Sequence, residues 1–102
     1  ADWIYSSYAE IPDLAELVDI FVAEMPERVQ NLLARLDDGN WEELRRAAHQ
    51  LKGAGGSYGF APITPAAARV EQAIRNNLPE AEIRRSVEDL TSLCRRMRGG
   101  TP

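Results

Sequence analysis

Asn40-Trp41-Glu42-Glu43-Leu44-Arg45-Arg46-Ala47-Ala48-His49-Gln50-Leu51-Lys52-Gly53-Ala54-Gly55-Gly56-Ser57-Tyr58-Gly59 is the stretch that decides how the chain folds. At about 100° per residue, Leu44, Ala47, Ala48, Leu51, Gly55 and Tyr58 gather within roughly a quarter turn, which predicts one helix with one buried stripe. Asn40 is the expected cap, with Glu43 three residues on, and the helix is expected to start at Trp41 and to run as far as Gly59. The single histidine lies off the stripe. With Leu44 at zero, His49 falls at about 140°, Lys52 near 80°, Arg45 near 100°, Gly56 near 120°, Gly53 near 180° and Arg46 near 200°. His49 is therefore predicted to face solvent among cations and glycines. Each glycine costs a helix about 1 kcal/mol against alanine, so Gly53, Gly55 and Gly56 together forgo roughly 3 kcal/mol. Gly55 faces inward, where close helix approach accounts for it. Gly53 and Gly56 face outward, where alanine would be more stable, and they point to another body approaching the backbone beside His49.

The same helical period extends on both sides. Leu14, Leu17, Val18, Phe21, Val22 and Met25 form a stripe opened by Pro12, with Asp13 as the expected N-cap and Glu16 three residues later. Pro26 demands a kink or a restart. Val29, Leu32, Leu33 and Leu36 follow as a second stripe that stops at Gly39. Beyond the turn at Phe60 to Ile63, Thr64-Pro65 is expected to open a helix with Ala67, Val70 and Ile74 inward, ending near Asn76-Asn77. Pro79 opens the last helix, with Ile83, Val87, Leu90, Cys94 and Met97 inward and Glu80 and Glu82 in its first turn. No segment alternates with period two. The expected fold is all-α: an antiparallel up-down four-helix bundle with an additional N-terminal helix over one end or side. Residues 1–102 read as one domain, with 1–12 an N-terminal extension and 98–102 a flexible tail. The start at Ala1 rather than Met suggests a piece excised from a longer protein.

Composition narrows the function. The chain has 102 residues, too few for a catalytic domain plus a nucleotide-binding domain, and its 44% hydrophobic and 27% charged residues suit an ordinary folded domain. A formal charge of −4 argues against a nucleic-acid binder. No apolar run approaches the roughly 18 residues of a membrane span, so no direct membrane contact is expected. Cys94 is alone, which excludes an internal disulfide or a cysteine-rich zinc site and favours a reducing, cytoplasmic setting. Charge is also unevenly spread: residues 1–44 hold 11 acidic and 2 basic side chains, residues 45–102 hold 5 acidic and 10 basic. Part of the surface can thus complement an acidic partner.

An exposed imidazole whose Nδ1 carries the proton offers a nucleophilic Nε2. Lys52 and Arg45, each about one turn from His49, could neutralise a phosphoryl group held there. The Nδ1–H needs an acceptor on a neighbouring helix. Glu71, about 100° from Val70 and so at the edge of its helix's buried stripe, is the candidate, with Arg75 one turn further on. The adjacent Gln72 takes that role if the helix is rotated.

His49-Gln50-Leu51-Lys52-Gly53-Ala54-Gly55-Gly56-Ser57-Tyr58-Gly59 resembles the signature of histidine-containing phosphotransfer (HPt) domains of bacterial two-component phosphorelays, a His-x-Leu-Lys-Gly stretch followed by small residues and an apolar-Gly pair. Met25-Pro26-Glu27-Arg28 and Asp38-Gly39-Asn40-Trp41-Glu42-Glu43-Leu44 also look like that family, so the similarity runs from about Asp13 to Met97. The resemblance implies a helical bundle with His49 as phospho-acceptor, Lys52 as the cation beside the phosphate, Glu71 as imidazole partner and Gly53 as the residue that lets a partner approach. Gly56, Gln50, Arg45 and Arg46 complete the expected docking face. It implies reversible relay between receiver-domain aspartates, with no ATP site, no metal and no cofactor of its own, magnesium belonging to the receiver. The expected protein is thus a phosphocarrier rather than an enzyme. It would be a cytoplasmic monomer whose partner is a response-regulator receiver domain, standing alone or in cis with a hybrid sensor histidine kinase, at the cytoplasmic end of a membrane sensor in that case. The alternative is a non-catalytic docking or adaptor bundle without histidine phosphorylation. Hydrolase chemistry is poorly supported, because Ser57 lies more than two turns from His49 at an unsuitable angle.

Overall fold

The computed structural model describes residues 2–102. Five helices follow one another: α1 (Pro12–Ala23), α2 (Met25–Asp37), α3 (Trp41–Ser57), α4 (Ile63–Arg75) and α5 (Glu80–Arg96), flanked by two-residue strands β1 (Ile4–Tyr5) and β2 (Met97–Arg98). The all-α class expected from the sequence is the class observed. Helices α2 to α5 close into a ring in which each packs on the next and α5 returns to α2, while α1 sits at one end against α2 and β2. Gly55 of α3 lies against Ile63 at the start of α4, whereas His49, earlier in α3, reaches Glu71, later in α4. The two helices therefore run in opposite directions.

Each stripe predicted from the period supplies the core. Leu32, Leu36, Leu44, Ala48, Leu51, Val70, Val87 and Leu90 are all buried in one cluster. Phe60, just past the end of α3, joins them, and Tyr58 stacks on Phe21 with ring centroids 4.5 Å apart. These aromatics fasten α1 to the bundle. Local signals account for most helix ends: Asn40 Oδ1 accepts a hydrogen bond from the Glu43 amide at 3.3 Å, and Pro26 lies in the first turn of a helix that restarts after Glu24.

Three expectations differ. The N-cap of α1 is Ile11, not Asp13; Pro12 occupies the first helical position, and Asp13 becomes a first-turn carboxylate with no capping bond. Helix α4 begins at Ile63 rather than at Thr64-Pro65, and Thr64 Oγ1 instead donates to the Lys52 carbonyl at 2.9 Å, tying the two helices together. Residues 4–5, read as part of an extension, pair in parallel with Met97, expected on the inward stripe of the last helix, and Arg98, expected in the tail; α5 ends at Arg96, and Met97 is buried as expected but extended. Strands of two residues are too short to carry a readable period.

The N-terminal segment is held further by Ser6 Oγ, which donates to the Tyr58 carbonyl at 2.6 Å, and by the Ser7 amide, which donates to the Gly59 carbonyl at 3.0 Å. Gly59 has φ +80, and a Cβ there would stand 2.5 Å from Ser6 Oγ, so glycine is required both by conformation and by space. Opposite stability effects are expected on one helix. Leu51→Ala should cost about 2 to 5 kcal/mol as a core truncation, whereas Gly53→Ala, where a Cβ meets nothing within 4 Å, should stabilise by up to about 1 kcal/mol. Chemical denaturation of the two variants beside the parent checks the order.

Candidate functional site

The seam between α3 and α4 is built from small residues. Ala48 and Gly55 on one side and Ala66, Ala67 and Ala73 on the other are buried, so the two backbones come close. Glu71 lies on α4 beside Val70 and is buried with only 2% of its side chain exposed. A buried carboxylate is costly unless its oxygens are filled by charged or polar donors. Here they are filled from across the seam. Glu71 Oε1 accepts from Lys52 Nζ at 2.8 Å, and Glu71 Oε2 accepts from His49 Nδ1 at 2.8 Å. Arg75, one turn along α4, brings Nη2 to 3.1 Å of the same oxygen, and Arg45 Nη1 stands at 3.7 Å.

This arrangement fixes the chemistry of the imidazole. The Glu71 carboxyl is held below the ordinary carboxylate range, first by the hydrogen bond from Lys52 and then by those of His49 and the charge of Arg75, against the opposing effect of burial. An ionised carboxylate only accepts hydrogen bonds, so the Nδ1 that faces it carries the proton and Nε2 is left with its lone pair. The His49 side chain is 59% exposed, and the ring is held from behind while its other nitrogen is left to solvent. Both outward glycines border it: a Cβ at Gly53 would meet nothing within 4 Å, and one at Gly56 only the Thr64 hydroxyl at 3.7 Å.

Of the residues expected at the site, His49, Lys52, Glu71 and Arg45 are brought together, and Gln50, Gly53 and Gly56 share the exposed face. Gln72 is not part of the cluster; it points into the shallow groove between α4 and α5 with Arg69, Arg85 and Asp89. Arg46 is also apart, paired with Glu43 at 3.1 Å. Arg45 is less free than its spacing suggested, because it also binds Glu42 at 2.7 Å. Cys94 is buried and its thiol is pushed up to about 11 by that burial, which leaves it unreactive as a nucleophile.

The sequence missed one feature of the surface. Leu17 and Ile20 of α1, the first of them assigned to the core stripe, are 47% and 52% exposed. With Phe21 at zero, Leu17 falls at about −40°, Glu24 at about −60° and Ile20 at about −100°, one flank of the helix. Glu24 lines the cleft of about 360 Å³ between α2 and α3 that Arg28, Leu32, Gln50 and Leu51 complete. The exposed apolar pair thus lies on the same flank of the helix as Glu24, one of the residues lining that cleft. An unbroken i, i+3 spacing contained the signal, but not which part of the stripe the rest of the bundle covers.

The model of the Hpt domain family matches residues 16–100. No curated protein and no solved structure matches the chain. Among the described residues no helix is long and apolar enough to cross a membrane.

The lowered pKa of Glu71 has a measurable consequence. Its folded value lies below the ordinary 4.5, so its contribution to stability is fully present above that value and is lost as pH falls through the depressed one. Glu71→Gln keeps an acceptor for Nδ1–H but removes the charge. The gap in melting temperature between parent and variant should therefore be largest near neutral pH and shrink on acidification below about pH 4.5; melts from pH 7 to pH 3 measure it, and a constant gap would contradict the assignment.

Proposed function

The chain belongs to the Hpt domain family, whose members are phosphocarriers in histidine-to-aspartate phosphorelays, and from that premise we propose that His49 carries the phosphoryl group. The observation that carries this reading is the imidazole held through Nδ1 by the buried Glu71 with Nε2 turned to solvent. The phosphoryl donor is the aspartyl phosphate of a receiver domain. His49 Nε2 attacks phosphorus, the bond from phosphorus to the aspartyl oxygen breaks, and the donor departs as a carboxylate. In the return step an aspartate oxygen attacks, the N–P bond breaks, and imidazole leaves neutral because its proton has stayed on Nδ1, hydrogen-bonded to Glu71, throughout. No proton must move in either direction.

Few groups are needed, because transfer of this kind depends chiefly on positioning and on charge neutralisation. Lys52 is the cation for the transferred group: its ammonium is anchored on Glu71 within the same cluster and needs only to turn outward. Arg45 and Arg75 then keep the Glu71 carboxylate balanced. The receiver would dock over Gln50, Gly53 and Gly56, whose bare backbone admits it, with Leu17 and Ile20 supplying apolar contact and Arg46 a charge at the edge. Magnesium would come with the receiver's acidic pocket, which the cations of α3 complement. The protein would act as a cytoplasmic monomer, alone or joined to a hybrid sensor kinase.

Incubation with a phosphorylated receiver tests the proposal. An acid-labile, base-stable label should appear on the parent and be absent from His49→Gln; retention of the label by that variant refutes the assignment. Gly53→Leu should abolish transfer while leaving the fold intact, and Lys52→Ala should slow transfer by roughly 10- to 100-fold, the loss of one charged contact of about 1.4 to 2.7 kcal/mol.

A further inference from the structure

The ring α2–α3–α4–α5 places the α2/α5 seam directly across the bundle from the α3/α4 seam that holds His49. There the seam is indented, although Met25, Val29, Cys94 and Met97 at its floor are each no more than 5% exposed. A groove of about 430 Å³ runs between the two helices, floored by Met25, Val29, Leu33, Cys94 and Met97 and extended onto α1 by Val22. From Met25 to Leu33 its apolar positions recur over a little more than two turns of α2, a length of about 12 Å. That is the span over which a helix presents anchors at i, i+3, i+4 and i+7. Two of the lining side chains are methionines, whose unbranched thioethers fit varied apolar surfaces.

Charge selects the occupant. Arg95 and Arg98 stand at the groove's edge, and no acidic residue lines it. Elsewhere the guanidinium groups of Arg28, Arg35, Arg45, Arg46, Arg75 and Arg84 all have carboxylate partners. Arg95 and Arg98 have none among the described residues, as is also the case for Arg69, Arg85 and Arg96, but only Arg95 and Arg98 line this groove. Arg98 is nevertheless held in place: Nη1 donates to the Arg95 and Met97 carbonyls at 3.0 and 2.7 Å, and its guanidinium lies 3.8 Å from the centroid of Trp3. A fixed, unpaired cation beside an apolar groove suits an apolar helix with carboxylates along one edge.

We propose that this groove seats an acidic amphipathic helix of a partner protein, on the side of the bundle turned away from His49. The receiver's face stays free, so the module can be tethered through one seam while it exchanges phosphoryl groups at the other.

The test uses the full chain and two synthetic 16-residue helical peptides with identical leucine anchors, one flanked by glutamates and the other by lysines. The glutamate peptide should bind with saturable fluorescence anisotropy and shift the amide resonances of Val29, Leu33 and Met97. R95E/R98E gives up the Arg98 hydrogen bonds and its contact with Trp3, so it should melt somewhat below the parent; at a temperature where circular dichroism shows both fully folded, it should bind that peptide at least tenfold more weakly. Equal binding of the two peptides, no binding of either, unchanged affinity in R95E/R98E, or shifts centred on His49 and Lys52 would each overturn the proposal. So would sedimentation showing that a second copy of the chain already fills the groove.

Discussion

One buried carboxylate organises the α3/α4 seam. Glu71 is removed from water on α4; Arg75 of the same helix reaches Oε2, but Oε1 is filled only by Lys52 from across the seam, where His49 also meets Oε2. That requirement sets the height and the rotation of α3, because Lys52 and His49, three residues apart and so on one flank, must both face α4. Once they do, the residues on the far side of His49 are turned to solvent. The exposure of the histidine is thus a consequence of what Glu71 demands behind it. The small residues of the seam make the reach possible, since a Cβ on Gly55 would stand 3.0 Å from Ile63 and force the helices apart.

The cluster is charge-imbalanced in its resting form. Lys52, Arg75 and Arg45 face one carboxylate, and Arg45 alone is shared with a second, Glu42. An added dianion would balance rather than disturb such a group, so Lys52 can leave Glu71 without stranding a buried charge. Under the proposed role of Lys52 the network would tolerate two arrangements of that lysine, whereas an isolated Glu–Lys pair would lose its compensation when the lysine turned away. The glycines follow similar logic. At Gly53 the helix gives up propensity where nothing in the domain itself occupies the space.

Much of this was legible in the residues. Helix number, the Asn40 cap, the solvent-facing phase of His49 and the candidacy of Glu71 all follow from angular position, which the backbone fixes locally. What the wheel could not show is which neighbour covers a given stripe. Leu17 has the spacing of a core residue, but α1 touches the bundle along only one flank, and Leu17 with Ile20 stays exposed. Gln72 and Glu71 were separable only once the seam fixed the rotation of α4. Asp13 lost its expected role to Pro12, whose ring suits the first helical position and moved the boundary one residue upstream of itself. The β1/β2 pair joins residues more than ninety positions apart, a contact that no local pattern encodes.

The two seams of the ring differ for one steric reason. Between α3 and α4 the facing residues are alanine and glycine, so the backbones approach closely and a single carboxylate can bridge them. Between α2 and α5 the facing residues are methionine, valine and leucine, whose bulk holds the helices apart along the rim even though their inner faces are packed. Close packing makes the first seam stiff, which suits a nucleophile that must present one nitrogen in one direction. Along the second the floor of the groove is buried and Val22 and Leu33 are half-buried. Side-chain volume thus distinguishes a closely packed seam, across which His49 meets Glu71, from a seam indented along its rim.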